Sequence, residues 1–367
     1  MTPLKKFQHG LKKQNIDLSI ITSPQLINYL IGYASEPNER ILSLFVSDSQ
    51  AILFTPSLES DDAKSIVSIP VYDYDDGMNP WKVINEDVLS HFHPIHTVGI
   101  DYESLTVDKY FSIQSLLPKA HYQDIGSMKN QIKVIKSKEE KEALMAAGKL
   151  ADQAVQIGIN TLKVGITETE VVAKIEYEMK KLGVSEMSFP TMVLFGDHAG
   201  SPHGEVSDRK LKENEFVLFD LGVIYNGYAS DMTRTVFFGS ETEISDRQKE
   251  IYQVVLDAQV TPQKQVKPGI LASNLDQLSR QIIEDAGYGQ YFIHRLGHGI
   301  GQTAHEFPSI DSSNQDRLEA GMCFSIEPGI YIPGEIGIRI EDCVYLTDEG
   351  AESFTQFDKS LLYIDVK

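Results

Sequence analysis

The chain has 367 residues, enough for two domains, and an apolar content of 41% that is ordinary for a globular protein. It carries 33 basic and 53 acidic residues, a net charge of −20 that repels phosphate backbones and argues against a nucleic-acid partner. Residues 1–10 lack the apolar core of a signal peptide, and all apolar runs are shorter than the roughly 20 residues that span a bilayer. Two cysteines, Cys323 and Cys343, make no disulfide framework, so we expect a cytoplasmic protein without a membrane partner.

The first third of the chain alternates strand-like and helix-like segments. β-branched and apolar residues dominate four short runs, at 16–23, 42–46, 51–55 and 97–101. Amphipathic stretches typical of helices follow at 82–92 and 105–117. This alternation predicts a small α/β domain over residues 1–130, which we interpret as a scaffold or oligomer interface.

The rest of the chain, residues 131–367, twice repeats a pattern of two helices followed by strands. In a capping box, a hydroxyl and a side chain three residues later satisfy free N–H groups at a helix start. Such boxes are predicted at 137–140, 167–170 and 245–248. They open helices that should run to about 159, 182 and 260, and a fourth helix is expected at 271–286. The repetition predicts a second domain with pseudo-two-fold α+β architecture.

Two aspartates accompany a hairpin signal within residues 216–239. Two strand-like runs surround a Tyr-Asn-Gly turn, and Asp220 and Asp231 each sit in an apolar setting on one arm. A carboxylate beside a central apolar strand is costly unless its charge is compensated. The two side chains could converge on one cation, or each could cap a turn at a strand end.

Histidines concentrate in two glycine-rich segments. Residues 293–308 hold three of the ten histidines, His294, His298 and His305, and a weaker signal at 196–204 includes His203. Neutral imidazole is a favoured ligand of divalent transition metals, although a single histidine is more often structural.

Two glutamates complete the candidate site. Glu327 and Glu341 each follow an apolar residue in a strand pattern, so each needs either a cation or an ion-pair partner such as Arg295 or Arg339. Together with the two aspartates and one histidine they could bind two divalent cations. A mostly oxygen ligand set favours manganese, cobalt or iron over a thiolate-type zinc site.

These motifs resemble the pita-bread metallopeptidases. In the family's order, DLGxxxxGYxSDxTRT begins at Asp220, HRLGHGIGxxxHExP at His294, SIEPGIY at Ser325 and GIRIED at Gly337. The resemblance covers about residues 137–346 and is closest to bacterial Xaa-Pro dipeptidases, or prolidases. The first third is similar to the smaller α/β domain of these enzymes, creatinase N-terminal-like and ribonuclease H-like, which caps substrate or forms oligomers and which methionine aminopeptidases usually lack.

The resemblance implies two divalent metal ions per subunit, Mn²⁺ foremost, with Co²⁺, Zn²⁺ or Fe²⁺ as alternatives. Asp231 and Glu341 would hold both ions, Asp220 would chelate one, and His298 would complete the other. Glu327 would bind one ion and act as the general base on a bridging water.

Further roles follow from the same motifs. His203 and His305 would contact the substrate or transition state, and His294 would line the pocket near the prolyl ring. Arg339, which we also count among the catalytic residues, would tune the metal ligands through hydrogen bonds together with Tyr331 and Thr233.

The implied activity is hydrolysis of the Xaa-Pro bond in dipeptides, by a metal-bridged hydroxide with Glu327 as proton shuttle. Arg40, in the charged loop 34–42, would bind substrate at a partner's active site in a homodimer, although a solvated surface turn is the alternative. Two other functions stay open. One is an Xaa-Pro aminopeptidase that accepts longer peptides, and the other is a non-catalytic binding protein, which the complete ligand set disfavours.

Overall fold

The computed structural model describes residues 1–201 and 204–366, and the chain divides into two compact units, Met1–Lys133 and Val134–Lys367. No helix within the described ranges combines the length and the apolar character needed to cross a membrane.

The unit Met1–Lys133 is built on one six-stranded mixed sheet. Its strands, in the spatial order β4-β3-β2-β1-β5-β6, are β1 (Leu18–Ile21), β2 (Ser43–Val46), β3 (Ala51–Pro56), β4 (Val71–Tyr74), β5 (Thr97–Ile100) and β6 (His121–Asp124). The helices are α1 (Pro3–Gln14), α2 (Pro24–Ile31), α3 (Ser57–Ile66), α4 (Pro80–Val83), α5 (Val107–Leu116) and α6 (Gly126–Val134).

Apolar cores cover both faces of this sheet. A strand can contribute to both cores, because alternate residues of a strand point to opposite sides. On β2, Leu44 and Val46 belong to one apolar core and Phe45 to the other. A sheet with helices on both faces is the α/β domain expected from the sequence. The helical stretch expected at 82–92 is present but irregular, since α4 continues as a π turn, Ile84–Val88, and a 3₁₀ turn, Leu89–Phe92.

The unit Val134–Lys367 contains four helices and fourteen strands within its described part. The helices are α7 (Lys138–Thr161), α8 (Glu168–Lys181), α9 (Asp246–Gln265) and α10 (Ala272–Asp285). The strands are β7 (Glu186–Met187), β8 (Met192–Phe195), β9 (Glu215–Leu221), β10 (Val223–Tyr225), β11 (Tyr228–Ala229), β12 (Met232–Phe238), β13 (Gly297–Gly299), β14 (Glu306–Ile310), β15 (Cys323–Ile326), β16 (Gly329–Ile332), β17 (Ile336–Arg339), β18 (Asp342–Leu346), β19 (Ala351–Ser353) and β20 (Tyr363–Ile364).

Each half of this unit pairs two helices with a sheet that is antiparallel, except that β20 runs parallel to β12 in the first half. In the first half, α7 and α8 share an apolar core with the sheet β20-β12-β9-β8. In the second, α9 and α10 share a core with the sheet β14-β13-β15-β18-β19. This repetition is the predicted pseudo-two-fold α+β architecture, and it places an equivalent set of strands from each half near the candidate site.

All three predicted capping boxes are present. Ser137 with Glu140, Thr167 with Glu170 and Ser245 with Gln248 each show both reciprocal hydrogen bonds at the starts of α7, α8 and α9. The expected end of α9 near residue 260 is too early, since the helix continues to Gln265 with Pro262 inside it. Proline cannot donate the backbone hydrogen bond of a regular helix, but Pro262 is buried, and we attribute the continuation of α9 beyond it to this packing.

Candidate active site

The two aspartates are positioned by the strand pair β9 and β12. Asp220 lies within β9 opposite Thr233, and Asp231 directly precedes β12. Between them, β10 and β11 form a tight hairpin whose Asn226 and Gly227 have φ values of 51° and 78°. Such positive φ angles match the right-handed twist of a hairpin, which is why the Tyr-Asn-Gly signal predicts this turn correctly.

The second half supplies three more side chains. His298 is the central residue of β13, and antiparallel pairing of β15 with β18 aligns Ile326 with Asp342. This register brings the adjoining residues, Glu327 and Glu341, to the same end of the strand pair. The backbone N–H of Glu341 donates to the carbonyl of Thr233 at 3.1 Å, joining the two halves at this point.

The five residues predicted as metal ligands form one continuous cluster. In each of three sets, potential ligand atoms lie within 4.8 Å of one another. The sets are Asp220, Asp231 and Glu341; His298, Glu327 and Glu341; and Asp231, His298 and His305. His298 Nε2 is 3.1 Å from Glu327 Oε1 and 3.6 Å from Asp231 Oδ2, so it links the carboxylates of both halves.

The cluster holds more negative charge than its protein surroundings compensate. Asp220 Oδ1 and Glu341 Oε1 are buried and have no hydrogen-bond partner among the described residues. Burial, and then the charge of Asp220, raise the pKa of Asp231 well above its usual value, and burial with the charge of Asp231 does the same to the pKa of Glu341. Buried carboxylates with unpartnered oxygens need either a proton or a cation, and a cluster of oxygen donors with one imidazole fits divalent metal ions.

His298 and Glu327 compensate each other when no cation is bound. Burial opposes ionisation of Glu327, but the hydrogen bond from His298 and its charge outweigh burial and lower the Glu327 pKa to about 2. Burial likewise disfavours the charged form of His298, yet Glu327 raises its pKa. Because a ligating imidazole must be neutral, a cation at this position takes the place of the proton on His298.

Arg339 organises a hydrogen-bond network behind the cluster. Its guanidinium donates to Asp220, to the hydroxyl of Tyr331 at 2.6 Å and to Thr233 Oγ1 at 3.1 Å. The Thr233 hydroxyl in turn donates to Glu341 Oε2 at 2.7 Å. One arginine therefore orients a carboxylate from each half of the unit, directly at Asp220 and through Thr233 at Glu341.

His294 continues this network to the edge of the cleft. Its Nδ1 lies 2.7 Å from the carbonyl oxygen of Arg295, which can only accept, so Nδ1 carries a proton. Burial lowers the His294 pKa, so the ring is neutral and Nε2 accepts from the Tyr331 hydroxyl at 3.0 Å. The hydrogen bonds therefore run from Arg339 through Tyr331 to His294.

Three further predicted residues lie outside this hydrogen-bond network. The side chain of His305 is partly exposed, and its ring packs edge-on against that of His298 with ring centroids 4.1 Å apart. Its partial burial, followed by the charge of His298, lowers the pKa of His305 to about 4. Arg40 lies in the unit Met1–Lys133, where its guanidinium donates to both oxygens of Asp76 at 2.8 and 3.0 Å. His203 lies outside the described residues.

A cleft of about 780 Å³ opens above the cluster. Of the predicted residues, it is lined by Asp220, Asp231, His294, His298, His305, Glu327, Arg339 and Glu341. Its walls also include residues that were not predicted, namely Phe189, Pro190, Thr191, Met192, Gly204, Glu205, Val206, Ile293 and Arg295. Apolar side chains in short connecting segments carry no distinctive pattern, although Ile293 and Arg295 flank the predicted His294.

Ser325 is another contributor that was not predicted. Its hydroxyl donates to Glu327 Oε1 at 3.0 Å and accepts the backbone N–H of His298 at 3.0 Å, so it sets the spacing of these two side chains. The available signal was its place two residues before Glu327, on the same face of the strand.

Comparison with known proteins agrees with this geometry. Residues 142–348 match the family described as Metallopeptidase family M24, and residues 3–135 match the Creatinase/Prolidase N-terminal domain. The chain belongs to the M24 metallopeptidases. Membership of this family implies divalent metal ions, which the carboxylate and histidine cluster could hold.

Several known proteins resemble the chain along nearly its whole length. An uncharacterized peptidase of Staphylococcus epidermidis is 44% identical over 361 residues, which cover 98% of this chain and all of that protein. The crystal structure of a prolidase from Pyrococcus horikoshii matches with a TM-score of 0.90 and 34% identity, covering 98% of this chain and 99% of that one. An X-Pro aminopeptidase from Thermotoga maritima matches at 0.89 and 28%, covering 99% and 100%.

Proposed function

We propose that this M24 chain hydrolyses the peptide bond before proline in Xaa-Pro dipeptides, using two divalent metal ions per subunit, with Mn²⁺ as the first candidate. The observation that carries the proposal is the convergence of four carboxylates and one histidine at the floor of the cleft, with two buried oxygens unpartnered among the described residues. Similarity to the prolidase of known structure supports the choice of substrate class.

The five ligands divide naturally between two ions. Asp220, Asp231 and Glu341 form one set, and His298, Glu327 and Glu341 form the other. Glu341 belongs to both sets, and Asp231 Oδ2 lies 3.6 Å from His298 Nε2, so either carboxylate would help to hold both ions. When bound, the metal ions would lower the pKa of a bound water toward neutral and polarise the scissile carbonyl.

The side chains of the protein supply the proton transfer and the orientation. Glu327 is 17% exposed at its side chain and lines the cleft, where it can hold a proton and pass it to the imino nitrogen of the leaving proline. His305 and His203 are proposed to hydrogen-bond the oxygen of the reacting carbonyl. Arg339 balances the charge of Asp220 and keeps Glu341 oriented through Thr233.

The nitrogen of an Xaa-Pro bond carries no hydrogen, so a site that binds this bond cannot depend on a hydrogen bond from it. His294 is proposed to contact the prolyl ring, because its neutral imidazole lines the cleft and lies against the rings of Phe292 and Tyr331. Ile293 adds an apolar wall, since it is 68% exposed and lines the same cleft. The homodimer, the cytoplasmic location and the contact of Arg40 with substrate belong to the same proposal.

The second candidate is an Xaa-Pro aminopeptidase, favoured by the similarity to the Thermotoga maritima protein. The two activities differ in whether the cleft admits residues beyond proline. Hydrolysis of Leu-Pro, Leu-Pro-Pro and a longer Xaa-Pro peptide by the manganese-loaded protein separates them. Cleavage of Leu-Pro alone is expected. Cleavage of the longer peptides would assign the aminopeptidase activity instead, and cleavage of none would refute both.

A further inference from the structure

Glu168 is a buried carboxylate that the proposed chemistry does not use. It is the first residue of α8, follows the N-cap Thr167 and has 0% relative exposure. It belongs to none of the ligand sets formed by the described residues and does not line the cleft. Because an isolated buried carboxylate is strongly disfavoured, the contacts of Glu168 indicate why it is there.

Three residues donate hydrogen bonds to this carboxylate. Oε1 accepts the N–H of Phe195 at 2.9 Å, while Oε2 accepts the N–H of Ser207 at 3.0 Å and its hydroxyl at 2.8 Å. His198 Nδ1 is 2.8 Å from Oε1 and 3.0 Å from Oε2, and it must carry a proton because a carboxylate only accepts. The N-terminus of α8 favours the same negative charge.

Phe195 and Ser207 are the two ends of the segment 195–207, and His198 lies three residues after Phe195. Phe195 ends β8, the neighbour of the strand that carries Asp220, and Ser207 lies one residue beyond Val206. The stretch from Gly204 to Val206 lines the cleft. The far end is held a second time by Thr169, whose N–H and hydroxyl donate to the carbonyl of Ser207 at 3.2 and 3.0 Å.

We propose that Glu168 is a positioning residue for substrate binding, which holds the ends of this segment on one carboxylate and so fixes the cleft wall at 204–206. The inference rests on the proposed hydrolysis of Xaa-Pro dipeptides. In Glu168→Gln, one accepting oxygen becomes an NH₂ donor that faces the donors of Phe195 or Ser207. Side-chain volume is kept, but hydrogen bonds are lost at one end of the segment.

The test separates positioning from a general loss of folded protein. A positioning defect weakens substrate binding, so Glu168→Gln should raise KM for Leu-Pro at least fivefold, and kcat should fall as well because His203, a proposed contact of the reacting carbonyl, lies in sequence between residues 195 and 207. The bound metal should not change, because all five proposed ligands lie on other elements. Partial unfolding would instead lower the active fraction and hence kcat, leaving KM unchanged.

Two variants sharpen this comparison. Ser207→Ala removes one of the hydrogen bonds, so it should raise KM less than Glu168→Gln, and the double variant should be no worse than Glu168→Gln alone. Glu170→Gln is the matched control, since Glu170 lies on the same turn of α8, is exposed, and contacts Thr167 rather than the segment. It should keep the KM of the unmodified chain.

Hydrogen exchange provides a second measurement that needs no substrate. The amide of Phe195 or of Ser207, whichever faces the new NH₂ group, should exchange faster in Glu168→Gln than in the unmodified chain or in Glu170→Gln. If the unmodified chain cleaves no Xaa-Pro peptide, the proposed function fails, yet this faster exchange would still support the positioning role. An unchanged KM, a loss in kcat alone, equal effects of the two glutamine variants, or unchanged exchange would each overturn it.

Discussion

At the scale of single residues, Glu327 and Glu341 have different surroundings within one cluster. Glu341 is 1% exposed. Its Oε2 accepts a hydrogen bond from the Thr233 hydroxyl, whereas its buried Oε1 has no hydrogen-bond partner among the described residues. Glu327 faces the cleft and touches His298 and Ser325. The enclosed carboxylate is suited to hold cations, and the more accessible one is suited to move a proton.

Replacement of Glu327 tests the second role. Glu327→Gln keeps the shape of the side chain but cannot take up a proton, so kcat for Leu-Pro should fall about 10²–10⁴-fold at saturating metal. Steady-state kinetics with bound metal measured on the same samples distinguishes this loss from a loss of ions. Glu335→Gln, an exposed glutamate paired with Arg247, is the control and should keep full activity. A kcat within threefold of the unmodified chain would exclude Glu327 as the proton carrier.

The sequence names the candidate ligands but not their supporting contacts. Asp220, Asp231 and His298 stand in motifs ordered as in the family that they resemble, and the structure brings their side chains into one cluster that could hold metal ions. Ser325 touches His298 across 27 positions, and Arg234 reaches Asp342 across 108. Such pairings depend on strand register between distant segments, which no local pattern in one sequence specifies.

At the scale of elements, local signals predicted helix starts better than helix ends. Hydroxyl caps fix the first turns of α7, α8 and α9 through contacts within four residues, and the sequence shows them directly. The end of α9 depends instead on burial of Pro262, a tertiary effect. The short helices α1 and α2 were not predicted, although Pro follows a capping Thr2 and Ser23 at their starts.

A buried ion pair joins β12, β18 and the chain that follows. Arg234 donates to Asp342 at 2.6 Å with both side chains 2% exposed, and it also donates to the carbonyl of Phe357. Lys359 and Thr355 complete the contacts of Asp342. Since Asp342 directly follows Glu341, this pair anchors the strand end that carries a proposed bridging ligand.

Removal of one partner should therefore be costly. Arg234→Met leaves Asp342 with Lys359 as its remaining ionic partner and removes the donor to the carbonyl of Phe357, so the free energy of unfolding should fall by about 3 kcal/mol, the lower end of the range for a broken buried pair. Urea denaturation measures this loss. Arg247→Met breaks an exposed pair with Glu335 and should cost less than about 1 kcal/mol. Equal losses in both variants would show that the buried pair does not stabilise this junction.

At the scale of the whole molecule, neither half of the unit Val134–Lys367 holds the cluster alone. The first half contributes Asp220 and Asp231, and the second contributes His298, Glu327 and Glu341. The fold class follows from repeated helix and strand patterns, and structures 28–34% identical to the chain keep that fold. The distances within the cluster arise only when both halves have folded, because β12 meets Glu341 through Thr233.

Arg40 tests the proposed contribution of a partner subunit to substrate binding. If its guanidinium contacts charged substrates, Arg40→Ala should change the ratio of kcat/KM for Glu-Pro to that for Leu-Pro by about two- to fivefold, as expected for one accessible ion pair. Arg247→Ala is the matched control because it removes another exposed arginine from an ion pair. Identical ratios in the unmodified chain and Arg40→Ala would leave Arg40 as a surface residue paired with Asp76.

The most direct test of the proposed two-metal hydrolysis follows Leu-Pro cleavage while manganese is added stepwise to metal-stripped protein. Bound metal and rate are measured at every step. A two-metal dipeptidase should show no hydrolysis without metal and a rate that reaches its plateau when two ions are bound per chain. Hydrolysis by the stripped protein, or two bound ions without any hydrolysis of Leu-Pro, would contradict this proposal.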